Sequence, residues 1–180
     1  MRPGVEPDSG DEGTVGDENG TSVGGVALLL VLILAGLFIW NRSIVGRPAA
    51  DFTLPDTTGS GEVSLASYRG SRVLLVFWSA SCGYCRQELP AINAMETELS
   101  RKDIRVVAIH LGEGSYREFL QSAGIDLVSV EDADGEVGRA YRIRGVPSLA
   151  LIGKDGSVER TAAGSMDADR LRSWCGLEKD

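Results

Sequence analysis

Cys82 and Cys85, separated by two residues, are the side chains of this 180-residue sequence best suited to chemistry. Thiols at that spacing exchange with disulfides or hold a metal. The stretch Val76-Phe77-Trp78-Ser79-Ala80-Ser81-Cys82-Gly83-Tyr84-Cys85 passes from an unbroken apolar run into a helical pattern, so the pair falls where a strand hands over to a helix. Unpaired N–H groups and the positive dipole end of a helix stabilise a thiolate in the first turn, which predicts Cys82 as a nucleophile of depressed pKa. Cys85, one turn on and more buried, is then placed to resolve a mixed disulfide. A zinc site normally takes a second ligand pair, and with one distant Cys175 and one histidine, His110, it is poorly supplied. A static disulfide and a pair of inert buried thiols are the other readings of the spacing alone.

A second feature is Gly145-Val146-Pro147 before an apolar run. Proline cannot lie mid-strand unless special, and a cis Val146-Pro147 bond there would hold a turn beside a reactive sulfur. Gly83 and Tyr84 between the cysteines, Val146 beside the proline, and Trp78 are candidates for a substrate groove. Trp78 also reads as core packing beneath the site. Glu88 lies three residues past Cys85 and six past Cys82, on roughly the same helix face; a plain surface glutamate is its alternative. His110 ends a strand expected beside that of Cys82 and reads as a rim residue or as a solvated strand-end histidine. Cys175 reads as a small buried hydrophobe.

These residues need a frame. Residues 1–22 hold Glu6, Asp8, Asp11, Glu12, Asp17 and Glu18 against Arg2, which accounts for most of the net charge of −8. Their composition predicts a disordered acidic tail. The rest has no basic stripe to neutralise phosphates, which excludes nucleic acid as a partner. Residues 23–40 run without a charge for about 27 Å as a helix, predicting a transmembrane span in the lipid bilayer with Trp40 as interfacial anchor. The flank lacks the basic region and cleavage site of a signal peptide. Residues 41–50 read as a linker.

Over residues 51–178 short apolar runs alternate with helical patterns, an α/β domain. A small hairpin pairs 52–54 with 63–65. Strands are expected at 73–78, 105–111, 127–130, 148–152 and 158–161. Helices are expected at 82–100, bent or interrupted at Pro90, and at 115–123 and 136–141, with a last one capped by Asp167 and ending near Gly176. Lys154-Asp155-Gly156 marks the final hairpin turn.

Phe77-Trp78, the cysteine pair, Pro90 five residues after the second Cys, and Tyr141 to Ser148 resemble the thioredoxin superfamily. Asp51-Phe52-Thr53-Leu54-Pro55-Asp56, Ser64-Leu65, Arg69-Gly70 and Glu88-Leu89-Pro90 narrow the resemblance to TlpA/ResA-like tethered oxidoreductases, over about residues 46–175. The resemblance implies a thioredoxin fold with an N-terminal β-hairpin and a central helix-strand insert from residues 112–135. It implies no cofactor, protein substrates carrying disulfides or thiols, and a membrane electron donor such as a DsbD/CcdA-like protein. An extracytoplasmic thiol reductase, often serving cytochrome c maturation, is the activity implied. The family's Trp and Pro flanking the cysteines are replaced by Ser81 and Tyr84, and Gly83-Tyr84 also resembles disulfide isomerases. The buried acid of ordinary thioredoxins falls at Val76. Glu88, which matches a family glutamate, is then the expected acid/base for Cys85.

Two rivals stand beside this reading. Thiol peroxidases of the extended thioredoxin fold place a Pro and a Thr or Ser seven and three residues before the attacking Cys; Ser79 meets the second requirement and Leu75 fails the first. A copper metallochaperone would join two thiolates to an imidazole, for which His110 is the candidate. Arg42 and Arg47 after the span point the domain to the cytoplasm by the positive-inside rule, whereas the family resemblance places it outside.

Overall fold

The structure is a computed structural model that describes residues 23–57, 61–112 and 116–177, with the side chains of 23 and 38–42 excepted. The predicted tail, residues 1–22, and the side chain of Trp40 lie outside the described residues. Two units divide between Ser43 and Ile44.

The first unit contains α1, Val23–Arg42, whose leucines and valines from Val26 to Leu37 are exposed. The uncharged run thus forms the expected helix. Among the described residues, however, no helix is long and apolar enough to cross a membrane.

The second unit begins with an antiparallel hairpin, β1 (Thr53–Pro55) and β2 (Glu62–Ser64). A five-stranded sheet follows, in the order β5-β4-β3-β6-β7. Its strands are β3 (Arg72–Trp78), β4 (Ile104–Leu111), β5 (Val128–Asp132), β6 (Ser148–Ile152) and β7 (Val158–Ala163). Strands β3, β4 and β5 run parallel, and β6 and β7 are antiparallel to their neighbours. Strand β3 is central, and its unbroken apolar run is what a strand covered on both faces requires. Leu74, Val76 and Trp78 point into one core with Leu89, Ile92 and Leu171; Val73, Leu75 and Phe77 point into the other with Phe52, Val137 and Tyr141.

Helices cover these faces: α2 (Gly83–Ala94), α3 (Glu96–Arg101), α4 (Tyr116–Ser122), α5 (Glu136–Ala140) and α6 (Ala168–Cys175). The insert appears as α4 and β5, which add a parallel strand beyond β4. Asp167 caps α6 by accepting the Arg170 N–H at 2.8 Å, and Gly176 ends it in the left-handed region at φ 74°.

Two expectations fail locally. Helix α2 runs through Pro90, and the break falls at Met95. Proline removes only its own N–H bond, which a packed helix can absorb. At Met95 the chain tightens, its N–H bonding Ile92 O, and the turn keeps both Ile92 and Leu99 fully buried. The linker is also shorter than expected. Gly46 N–H donates to Val158 O, Val158 N–H to Arg47 O and Ala49 N–H to Gly156 O, so residues 46–49 are zipped to the start of β7. Tyr141 fixes the next residue by donating its hydroxyl to Ala50 O at 2.9 Å.

Candidate active site

Strand β3 ends at Trp78, and the turn Ser79–Ser81 delivers Cys82 to the N-cap of α2. Cys82 N–H closes that turn on Ser79 O at 3.1 Å. The Cys82 sulfur is itself the cap acceptor, taking the Cys85 N–H at 3.1 Å. A backbone donor aimed at Sγ from the positive end of a helix is the arrangement that favours a thiolate there. Cys82 and Cys85 form a disulfide with their Cα atoms 5.2 Å apart. Cys82 is half-buried and Cys85 is 1% exposed, so an incoming partner meets Cys82 first.

The loop before β6 forms the opposite wall. The Val146-Pro147 bond is cis, as the sequence suggested. Val146 O lies 3.5 Å from Cys82 Sγ; Pro147 is buried and Val146 half-buried. Ser148 Oγ donates to Gly145 O at 2.7 Å and steadies the loop. Gly83 is exposed with open space around it, and Tyr84 is 69% exposed. Gly83, Tyr84 and Val146 therefore surround an accessible sulfur. Trp78 does not join them: it is 0% exposed beneath the site, its ring against His110 and Phe119, and has no surface to offer a groove.

Glu88 is not a surface residue. Cys85, Glu88, Leu89 and Ile92 are the inward positions of α2, spaced as one helix face, and Glu88 is 4% exposed among them. Its Oε1 accepts the Met166 N–H at 2.7 Å, while Oε2 is buried with no partner among the described residues. Burial pushes its carboxyl above the ordinary glutamate range, and the Met166 N–H opposes this in part. Next to Met166, Gly164 N–H donates to Pro147 O at 2.9 Å. Residues 164–166 thus tie the Pro147 loop to Glu88. Sequence reasoning missed that bridge, since nothing in Gly164-Ser165-Met166 signals two backbone donors aimed at the site.

His110 is not solvated either. It is 1% exposed, in register with Trp78 on β3 and Glu131 on β5, with its ring 4.5 Å from that of Tyr116. Burial holds it below the usual histidine range, while the Glu131 carboxylate pulls the other way. Cys175 is fully buried on α6, its thiol pushed up to about 11 by burial. Among the described residues, no three His, Cys, Asp or Glu side chains gather where they could hold a metal. Leu75 is buried in the core, so the peroxidase position lacks its proline and lies out of reach of a substrate.

Residues 45–161 match the AhpC/TSA family. The chain is 30% identical over 162 residues to the thiol-disulfide oxidoreductase ResA of Bacillus subtilis, covering 84% of this chain and 90% of that one. It is 33% identical over 155 residues to the ResA of Geobacillus kaustophilus, covering 81% and 88%. The crystal structure of StoA from Bacillus subtilis superposes with a TM-score of 0.61 at 25% identity, covering 70% of this chain and 96% of that one. With a thioredoxin-like sheet and a disulfide pair at the start of α2, the chain belongs to the AhpC/TSA family of thioredoxin-fold proteins, among the ResA-like thiol-disulfide oxidoreductases.

Proposed function

We propose that this thiol-disulfide oxidoreductase works as a membrane-tethered reductase of extracytoplasmic protein disulfides, with Cys82 as nucleophile and Cys85 as resolving thiol. The observation that carries the reading is the asymmetry of the pair: Cys82 is half-buried, its Sγ accepting the Cys85 N–H, while Cys85 is buried. The Cys82 thiolate attacks one sulfur of a substrate disulfide, and the other substrate sulfur leaves as a thiolate that takes a proton. Cys85 then gives its proton to Glu88 and attacks Cys82 Sγ. The second substrate thiolate leaves, and the Cys82–Cys85 disulfide holds the two oxidising equivalents. A dithiol of a membrane electron donor, DsbD/CcdA-like, restores the reduced pair.

Substrate approaches over Gly83, Tyr84 and Val146, with Val146 O beside the Cys82 sulfur and Pro147 shaping the wall. Oxidised apocytochrome c, with its paired cysteines joined in a disulfide, is a substrate of the required chemistry. The uncharged run 23–40 supports a membrane anchor for α1, and resemblance to tethered oxidoreductases supports an extracytoplasmic domain against the bias of Arg42 and Arg47. Reduction of insulin disulfides by the dithiol-regenerated chain tests the activity. Wild type should turn over and Cys82→Ser should be inactive; activity retained in Cys82→Ser would overturn the assignment.

A further inference from the structure

His110 is the single histidine of the chain, and the chemistry above leaves it unused. It sits at the end of β4, fully enclosed, with its ring edge-on to Trp78 at 5.0 Å. Its Nε2 lies 3.3 Å from the backbone nitrogen of Ala80 and accepts that N–H. Ala80 is the middle residue of the turn that carries Cys82 from β3 to α2. A nitrogen that accepts has no proton, so the ring is held as the neutral tautomer with hydrogen on Nδ1. Nδ1 has no partner of ordinary hydrogen-bond geometry among the described residues. The Ser79 and Ser81 hydroxyls bond one another at 3.0 Å, and among the described residues His110 is a side chain from outside the turn that holds its backbone.

We propose that His110 is a positioning residue for the Cys82 nucleophile: its unprotonated Nε2 holds the Ala80 amide, fixes the Ser79–Ser81 turn, and so sets the sulfur at the cap of α2. Protonation of Nε2 replaces an acceptor with a donor facing a donor, and the turn is released. Since burial lowers the affinity of the ring for that proton, release occurs only as pH falls below the ordinary histidine range of about 6.5. The charged and titratable groups facing the ring are Glu131 on β5 and Tyr116 on α4, with Arg117 stacked over the Tyr116 ring; β3 presents Trp78, which does not titrate. Tyr116 donates its hydroxyl to Glu131 at 2.9 Å, and the charge of that carboxylate opposes the effect of burial on the ring.

The inference rests on Cys82 being the attacking sulfur, and two readouts separate the two claims. In the reduced whole chain, nitrogen chemical shifts of the sole histidine ring report its tautomer directly, whatever the thiols do. The expected result is a proton on Nδ1 at neutral pH; a proton on Nε2 overturns the proposal. The second readout is the rate at which Cys82 is alkylated, followed by peptide mass, as a function of pH. His110→Phe keeps the ring stack and removes the acceptor, so the rate at neutral pH should fall about fivefold, the factor of one ordinary hydrogen bond. His110→Gln restores an acceptor that does not titrate. It should recover the neutral rate and lose the second proton that steepens the acid limb of wild type. Equal acid limbs in wild type and His110→Gln, or an unchanged rate in His110→Phe, would overturn the positioning role. Alkylation beginning at Cys85 would instead refute the nucleophile assignment and leave the tautomer result standing.

Discussion

Glu88 on α2 accepts the backbone N–H of Met166 at 2.7 Å through one carboxylate oxygen and buries the other, Oε2, without a partner. An acid held this way is one turn from Cys85 and reluctant to ionise. It suits a group that takes a proton from a buried thiol and passes it on.

Glu88→Gln keeps the acceptor for Met166 and removes the base, so turnover should slow by about 10², the usual value of a lost general base, with the fold intact. The stability effect has the opposite sign. Because the folded carboxyl titrates above the unfolded one, its contribution is fully present below about pH 4.3 and lost as pH rises through the folded value. Melting temperatures across that interval should therefore decline less in Glu88→Gln than in wild type. A variant that turns over at the wild-type rate at neutral pH would make Glu88 a structural residue only.

Cys175 should be chemically silent. It is fully buried, and its thiol stays protonated to about pH 11, so in the reduced native chain a soluble alkylating reagent should modify Cys82 and leave Cys175 untouched until denaturant is added. Peptide mass mapping reads this out, and early modification of Cys175 would contradict the packing of α6.

Much of this was legible because periodicity and local signals agreed. The 73–78 run announced a central strand, Asp167 and Gly176 bracketed the last helix, and Cys82 before a helical pattern placed a sulfur at a cap. Glu88 shared a face with Cys85, Leu89 and Ile92, which marked it as the acid/base candidate, while residue statistics kept a surface glutamate open beside it. Its partner comes from Met166, 78 residues away, and no local pattern encodes that. For His110 the solvated reading fails: a strand end is normally wet, but the insert places Tyr116 over it. The break at Met95 and the zipped residues 46–49 follow from tertiary packing, which overrides proline and linker signals.

The proposed orientation makes a cellular prediction. A membrane-impermeant thiol reagent applied to intact, reduced cells should label Cys82. Labelling that appears only after lysis would put the domain on the cytoplasmic side, as Arg42 and Arg47 suggest.

The most direct test of the account is the fate of the mixed disulfide in Cys85→Ser. Without the resolving thiol, the chain should accumulate a covalent adduct with a disulfide-bearing protein, released by reductant, and mass mapping should place the bond on Cys82. Absence of any adduct while Cys82→Ser still reduces substrate would contradict the division of labour between the two cysteines.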